Sequence, residues 1–307
     1  MATLAFLGPE GTFSHAALRT LDVAADATLR PVATVTLAID AVRAGAAYGA
    51  VVPLENSVEG AVPATLDELA NGAPLVIAQE IYLPVSFNLL VRAGTALADV
   101  GSVATHPHAE AQVRRWLAAN LPTAKVALVD STAEGAHAVA DGAYDAAISS
   151  PVAGELYDLH ALATDIADNP GAVTRFVLLT RPAVPQPPTG NDRTSLVAYL
   201  RADHSGALLE ILTEFAARAV NLTRIESRPT KGNIGQYCFS IDCEGHIADE
   251  RVGEAIAALH RVCADVRYLG SYERRDGVQA AVPLGRADAD FTSSRAWLAQ
   301  VRAAGHG

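Results

Sequence analysis

The sequence predicts an α/β protein in two parts, a bilobal α/β region followed by a smaller βαββαβ unit. Three observations carry this reading. Over the first 180 residues, short apolar strands alternate with Ala-rich helical stretches. The segment 181–191 then places four prolines in eleven positions. Proline fixes φ and removes a backbone donor, so this segment reads as a linker. Beyond it the order of elements changes to strand, helix, two strands, helix, strand within about 80 residues, a ferredoxin-like arrangement.

In the first part, strands are expected at 3–7, 48–55, 74–83, 85–92, 102–107, 124–130, 144–150 and 175–181, with helices at 14–22, 36–45, 108–119 and 132–141. An internal repeat at a spacing of 96 supports two similar lobes with a cleft between them. Ala44, Ala47, Tyr48 and Ala50 recur as Ala140, Ala143, Tyr144 and Ala146, after helices opened by Thr36 and Thr132. In the second part, 195–202 reads as a strand. The next stretch, 206–219, reads as a helix with Leu208, Ile211, Leu212 and Phe215 on its apolar face. A hairpin follows from 222–229 and 236–245 around the turn 231–235, then a helix at 249–262 and a strand at 265–273. A tail with a helix at 294–304 ends the chain. The expected domains are 1–181, a linker at 182–193, 194–275, and a tail at 276–307.

The 307 residues carry 23 basic and 34 acidic side chains, a net charge of −11. Phosphate contacts need clustered Lys and Arg, so nucleic acid is not an expected partner. No apolar run is long enough to span a bilayer, and the first residues lack the basic and apolar regions of a signal peptide. Three cysteines suit a reducing compartment, and the cytoplasm is expected.

Four stretches carry chemistry. The loop LGPEGTFSH (7–15) follows the first strand. It can cap a helix through Thr12 or Ser14, or offer an anion the amides of a helix start. It matches neither Gly-rich nucleotide pattern. ENSVEG (55–60) brings Glu55, Asn56, Ser57 and Glu59 to a strand end, where ligands of open α/β sheets bind, or forms a second cap. In HPHAEAQ (106–112), His108 and Gln112 share a helix face, a spacing that favours positioning hydrogen bonds over metal. In NPGAVTRF (169–176), Arg175 beside Thr174 can grip a carboxylate or sit packed on the surface. Cys238, Cys243 and Cys263 read as buried side chains rather than zinc ligands, and no metal or cofactor is expected.

Taken together, GPEGTFSH, ENSVEG, HPHAEAQ, STAEGA (131–136) and TRF (174–176) resemble the prephenate dehydratase family. GALLEIL (206–212) and ESRP (226–229) resemble that family's ACT regulatory domain. The resemblance implies a periplasmic-binding-protein-like bilobal catalytic domain that converts prephenate to phenylpyruvate by coupled decarboxylation and dehydration. It implies Thr174 at the leaving hydroxyl. A threonine is too weak an acid to transfer a proton unaided, so an enclosed Glu55 or a water relay is expected to assist. Arg175 and donors near Thr12 and Ser14 would hold carboxylates. Asn56, Ser57, Gln112, Ser131, Thr132 and Phe176 would position the substrate. Gly206, Ala207 and Leu208, with Glu226, Ser227, Arg228 and Pro229, would bind L-phenylalanine as allosteric effector between subunits of a homodimer or homotetramer. Two positions depart from the family pattern: His108 where Gln is expected, and Ser205 where Pro often precedes Gly-Ala-Leu. Arogenate dehydratase and a non-catalytic bilobal binding protein are the alternatives.

Overall fold

The buried run at the start of the chain forms β1 (Thr3–Leu7), with Leu4, Ala5 and Phe6 inaccessible to solvent. There follow α1 (Phe13–Arg19), β2 (Thr28–Val32), α2 (Val35–Arg43), β3 (Gly49–Asn56), β4 (Gly60–Ala61), α3 (Pro63–Asn71) and β5 (Val76–Pro84). Next come β6 (Asn88–Val91), β7 (Ser102–Thr105), α4 (Pro107–Gln112), α5 (Arg114–Asn120), β8 (Lys125–Leu128), α6 (Thr132–Ala140), β9 (Ala146–Ser149), α7 (Pro151–Leu156), β10 (His160–Ala163) and β11 (Val173–Thr180). The computed structural model describes residues 1–230 and 237–304. Its chain divides into two compact units, Met1–Thr65 with Ile81–Leu178, and Leu66–Glu80 with Leu179–Gly307.

One sheet runs β2-β1-β3-β11-β5 with β4 paired to β3, and a second runs β10-β6-β9-β7-β8. Each is the core of one lobe, and the chain crosses between them twice, after β5 and before β11. The two crossings are tied where the Val85 amide donates to the Ala172 carbonyl at 2.7 Å. The repeat is real in three dimensions. Helices α2 and α6 each end in a glycine of positive φ, Gly45 at +73° and Gly142 at +83°, before β3 and β9. Thr132 opens α6 as expected, capped by Ser131, whereas α2 opens at Val35, one residue before Thr36, and is capped by Thr34. The helix expected at 108–119 is two. Asp168 enters the break at Val113, its amide donating to the Gln112 carbonyl and its carboxylate accepting the Arg115 N–H.

The second unit carries β12 (Asp192–Tyr199), α8 (Ala207–Ala216), β13 (Leu222–Pro229), β14 (Tyr237–Glu244), α9 (Glu250–Val262), β15 (Asp265–Glu273) and α10 (Asp288–Ala304). The turn expected at 231–235 and the first residue of the strand expected at 236–245 lie outside the described residues. The sheet order is β13-β14-β12-β15, antiparallel throughout, as the βαββαβ reading requires. Leu196, Ala198, Phe239, Ile241 and Cys243 on its inner face pack with Ile211, Phe215, Val252 and Leu259 of α8 and α9. The buried stripe of α8 is Ala207, Ile211 and Phe215, while Leu208 is partly exposed, a rotation from the expected face. Among the described residues no helix is long and apolar enough to cross a membrane.

The sheet's other face meets the chain segment of the same unit that includes Ile77. At a bulge in β15, Gly270 adopts φ +126°, and a Cβ there would stand 2.5 Å from the Ile77 carbonyl oxygen. Backbone against backbone has nowhere to yield. Gly270→Ala should therefore cost about 3 kcal/mol, read as a lowered urea midpoint at unchanged slope.

Candidate active site

A cavity of ≈ 340 Å³ lies between the two lobes of the first unit. Leu7, Thr12, Phe13, Ser14, Pro53 and Phe176 line it from one side, and Phe87, His106, His108, Asp130, Ser131 and Thr132 from the other. The rings of Phe13 and Phe87 meet edge to face at 5.5 Å. This apolar wall with a few polar groups suits a small ring-bearing molecule.

The opening loop builds one rim. Thr12 caps α1 by accepting the His15 N–H, and its own proton is directed at the carbonyls of Leu7 and Pro9, 3.0 Å away. The Thr12 hydroxyl is thus committed within the loop, while Thr12 itself lines the cavity. Ser14 is buried at the cavity wall. Gly11 explains the loop's second glycine: φ is +84°, and a Cβ would press on Ala153 at 3.3 Å. Its carbonyl accepts the Ser150 hydroxyl at 2.6 Å, tying the loop to the other lobe.

His15 holds the same glycine from the opposite side, its Nδ1 accepting the Gly11 N–H at 3.0 Å while its ring stacks on Phe6. Burial lowers the His15 pKa below 6.5, with Glu10 raising it and Arg19 lowering it further. As pH falls through 6.5 the unfolded chain binds this proton before the folded one does. Stability is therefore complete above 6.5 and is lost as pH drops towards the folded value. Urea unfolding at pH 7 and pH 5.5 should show that loss in the wild type and a smaller one in His15→Gln, whose side-chain oxygen accepts the amide without titrating.

ENSVEG and TRF meet at the ends of β3 and β11. Asn56 Oδ1 accepts the backbone N–H groups of Val58 and Glu59 at 2.8 and 2.9 Å. Those two bonds settle which end of the amide is which, so Nδ2 faces Thr174 and donates to its Oγ1 at 2.7 Å. With that oxygen accepting from Asn56, the Thr174 hydroxyl proton is turned elsewhere. Thr174 is two residues from Phe176 and so shares its face of β11, although Phe176 lines the cavity and Thr174 and Asn56 do not. Ser57 fastens the loop, its amide and hydroxyl bonding the Val173 carbonyl and amide at 2.9 and 3.0 Å.

Two expectations are corrected here. Arg175 points to the other face of β11, buried, with Glu55 4.0 Å away, and it does not line the cavity. Glu55 has a side chain 38 % exposed and lacks the enclosure expected of it.

The second lobe presents helix starts. His106 caps α4, accepting the His108 amide at Nδ1, and burial and the neighbouring His108 lower its pKa. Gln112 reaches Glu59 of ENSVEG at 3.3 Å, a bond between lobes rather than a free positioning group. Ser131 accepts the Glu134 N–H at 3.0 Å, which turns its hydroxyl proton away from that amide, and Thr132 opens α6. The motifs did not single out Phe13, Phe87, His106 and Asp130. Phe13 and His106 stand inside quoted motifs, but nothing local marks Phe87 or Asp130 as cavity walls.

In the second unit, Gly206 opens α8 at φ +95°, and a Cβ there would meet no atom within 4 Å. Ala207 lines a cavity of ≈ 20 Å³ with Arg201, His204 and Glu210. Glu226, Ser227, Arg228 and Pro229 lie on edge strand β13 and do not line it.

A two-lobed α/β unit with a ring-sized interlobe cavity, joined to a βαββαβ unit, defines a small-molecule-binding fold with an appended ferredoxin-like domain. Residues 4–184 match the Prephenate dehydratase family model, and residues 194–261 match the ACT domain model. A prephenate dehydratase of Amycolatopsis methanolica is 51 % identical over 303 residues, covering 98 % of each chain. The solved prephenate dehydratase of Arthrobacter aurescens in complex with L-Phe superposes with a TM-score of 0.92 at 48 % identity, covering 97 % of this chain and 99 % of that one. That of Staphylococcus aureus gives 0.75 at 28 % identity, covering 88 % and 100 %. The chain belongs to the prephenate dehydratase family, with an ACT domain.

Proposed function

We propose that the interlobe cavity converts prephenate to phenylpyruvate, and that Thr174, oriented by Asn56, serves the leaving hydroxyl. The activity is that of a carbon–oxygen lyase of L-phenylalanine biosynthesis, regulated by L-phenylalanine. In the reaction the electron pair of the ring C–carboxylate bond enters the ring as carbon dioxide leaves. The ring C–O bond breaks, and the departing hydroxide takes up a proton to become water. The Asn56–Thr174 bond carries this assignment, because it leaves the threonine with a proton that cannot point back at Asn56. A hydrogen bond that strengthens as the oxygen gains charge lowers the barrier, whereas the full proton comes through water. Phe13, Phe87 and Phe176 hold the ring, and the start of α6 at Ser131 and Thr132 offers amides to a carboxylate. Arg175 and Glu55 act behind the strand face, and Ser57 and Gln112 keep the loop and lobes in place.

The effector is assigned to Gly206, Ala207 and Leu208 with Glu226, Ser227 and Pro229, completed across the interface of a homodimer or homotetramer. Ala207 lines the ≈ 20 Å³ cavity and no ESRP residue does, which supports a site completed by a second subunit. The cytoplasm is the proposed compartment, in keeping with the buried thiols of Cys238, Cys243 and Cys263.

The test is turnover of purified protein on prephenate and on arogenate, with phenylpyruvate followed by its absorbance in alkali. Product from prephenate is expected. Turnover of arogenate alone would make the chain an arogenate dehydratase, and binding without product would make it a bilobal binding protein.

A further inference from the structure

Helix α3 is tied at both of its ends. Near its start, the Thr65 hydroxyl donates to the carbonyl of Pro53, a cavity-lining residue of β3 two positions before Glu55. From Leu66 onward the helix belongs to the second unit, and there the regulatory sheet holds it. Arg228 donates from Nε and Nη2 to Asp67 Oδ1 at 2.9 and 2.8 Å. The Tyr199 hydroxyl donates to the Ala70 carbonyl, and Arg267 donates to the carbonyls of Leu69 and Gly72 at 2.9 and 2.7 Å. Carbonyls at a helix end have no intrahelical partner, and here side chains of the sheet supply one. Leu66 and Leu69 are buried beside these bonds.

Arg228 belongs to ESRP, and the sequence placed it among the effector ligands. Its guanidinium instead grips a helix that begins three residues after ENSVEG ends. The distance between Thr65 and Asp67 is two residues of one helix, about 3 Å of axial rise. β13 and the strand that bears Glu55 and Asn56 thus each hold a residue of the same short helix.

We propose that α3 is the element through which the regulatory sheet acts on the catalytic loop, coupled by the Arg228–Asp67 pair and by the Tyr199 bond to Ala70 together. All three side chains are positioning residues, and Arg228 is not an effector ligand. A ligand shifts an equilibrium only by interacting differently with its two states, and coupling of this kind is commonly 5- to 150-fold, roughly. The inference rests on the regulation by L-phenylalanine proposed above.

The experiment uses the full chain as wild type, Asp67→Asn and Tyr199→Phe. L-Phenylalanine binding is measured by calorimetry, and kcat/KM for prephenate is measured with and without saturating L-phenylalanine. In both variants the effector should bind within about twofold of wild type, and the factor by which it changes kcat/KM should fall at least roughly fivefold towards 1. A variant that binds the effector and responds as the wild type does overturns the proposal, as does one whose effector affinity falls in step with its response. If one variant fails to fold, the other decides the same question. A wild type that turns over prephenate but ignores L-phenylalanine removes the regulatory reading itself and this coupling with it. A responsive wild type with responsive variants removes only the coupling.

Discussion

Thr174→Ala is expected to lower kcat for prephenate about 10²–10³-fold while KM stays within about threefold. The hydroxyl is asked to supply only one thing, a hydrogen bond to an oxygen that gains charge as its bond to the ring breaks. Such a donor contributes little to the ground state, so its loss falls on turnover rather than binding. The residue is buried on a strand whose neighbours Phe176 and Val177 are themselves packed, so removing two heavy atoms leaves the fold in place. Thr174→Ser, which keeps the hydroxyl and loses only the methyl, should retain most activity. Steady-state assays of phenylpyruvate formation read both. Unchanged turnover in the alanine variant would remove Thr174 from the mechanism.

Asn56→Asp should be nearly as damaging, with kcat down about 10²-fold, though the change is isosteric and Thr174 is untouched. The carboxylate can still accept the amides of Val58 and Glu59, so the loop keeps its turn. What changes is the atom facing Thr174, where an oxygen that cannot donate replaces the Nδ2 amide. The threonine proton then turns to the carboxylate and away from the substrate. A urea midpoint close to that of the wild type, measured alongside the assay, distinguishes this reorientation from a disordered loop.

Much of the architecture could be read in the sequence because it is written locally. β1, β13 and β15 fall on the expected residues, since each is a short apolar or alternating run bounded by turn residues. The elements that escaped notice lack such a signal. β2 (Thr28–Val32) is an edge strand, largely exposed and interrupted by Pro31. β10 and α7 are four and six residues long. α3 shows a modest apolar pattern, and much of what holds it in place is the sheet formed more than a hundred residues later.

The site divides in the same way. Motif reading brought Asn56 and Thr174 forward, and the structure sets them 2.7 Å apart. It set Arg175 at the substrate, but neighbours on a strand face opposite sides, and Arg175 faces away from the side on which Phe176 lines the cavity. It could not show that the Thr12 hydroxyl, within reach of two carbonyls, is committed inside the loop. His15, unexplained by any motif, takes its meaning from Gly11 four residues earlier.

The most direct test of the account is a double-mutant cycle on kcat with Thr174→Ala and Asn56→Asp. If Asn56 acts by orienting the Thr174 proton, Asn56→Asp costs about 10²-fold when Thr174 is present and less than about threefold when it is already alanine. If the two losses multiply instead, Asn56 and Thr174 act independently and the proposed mechanism is wrong.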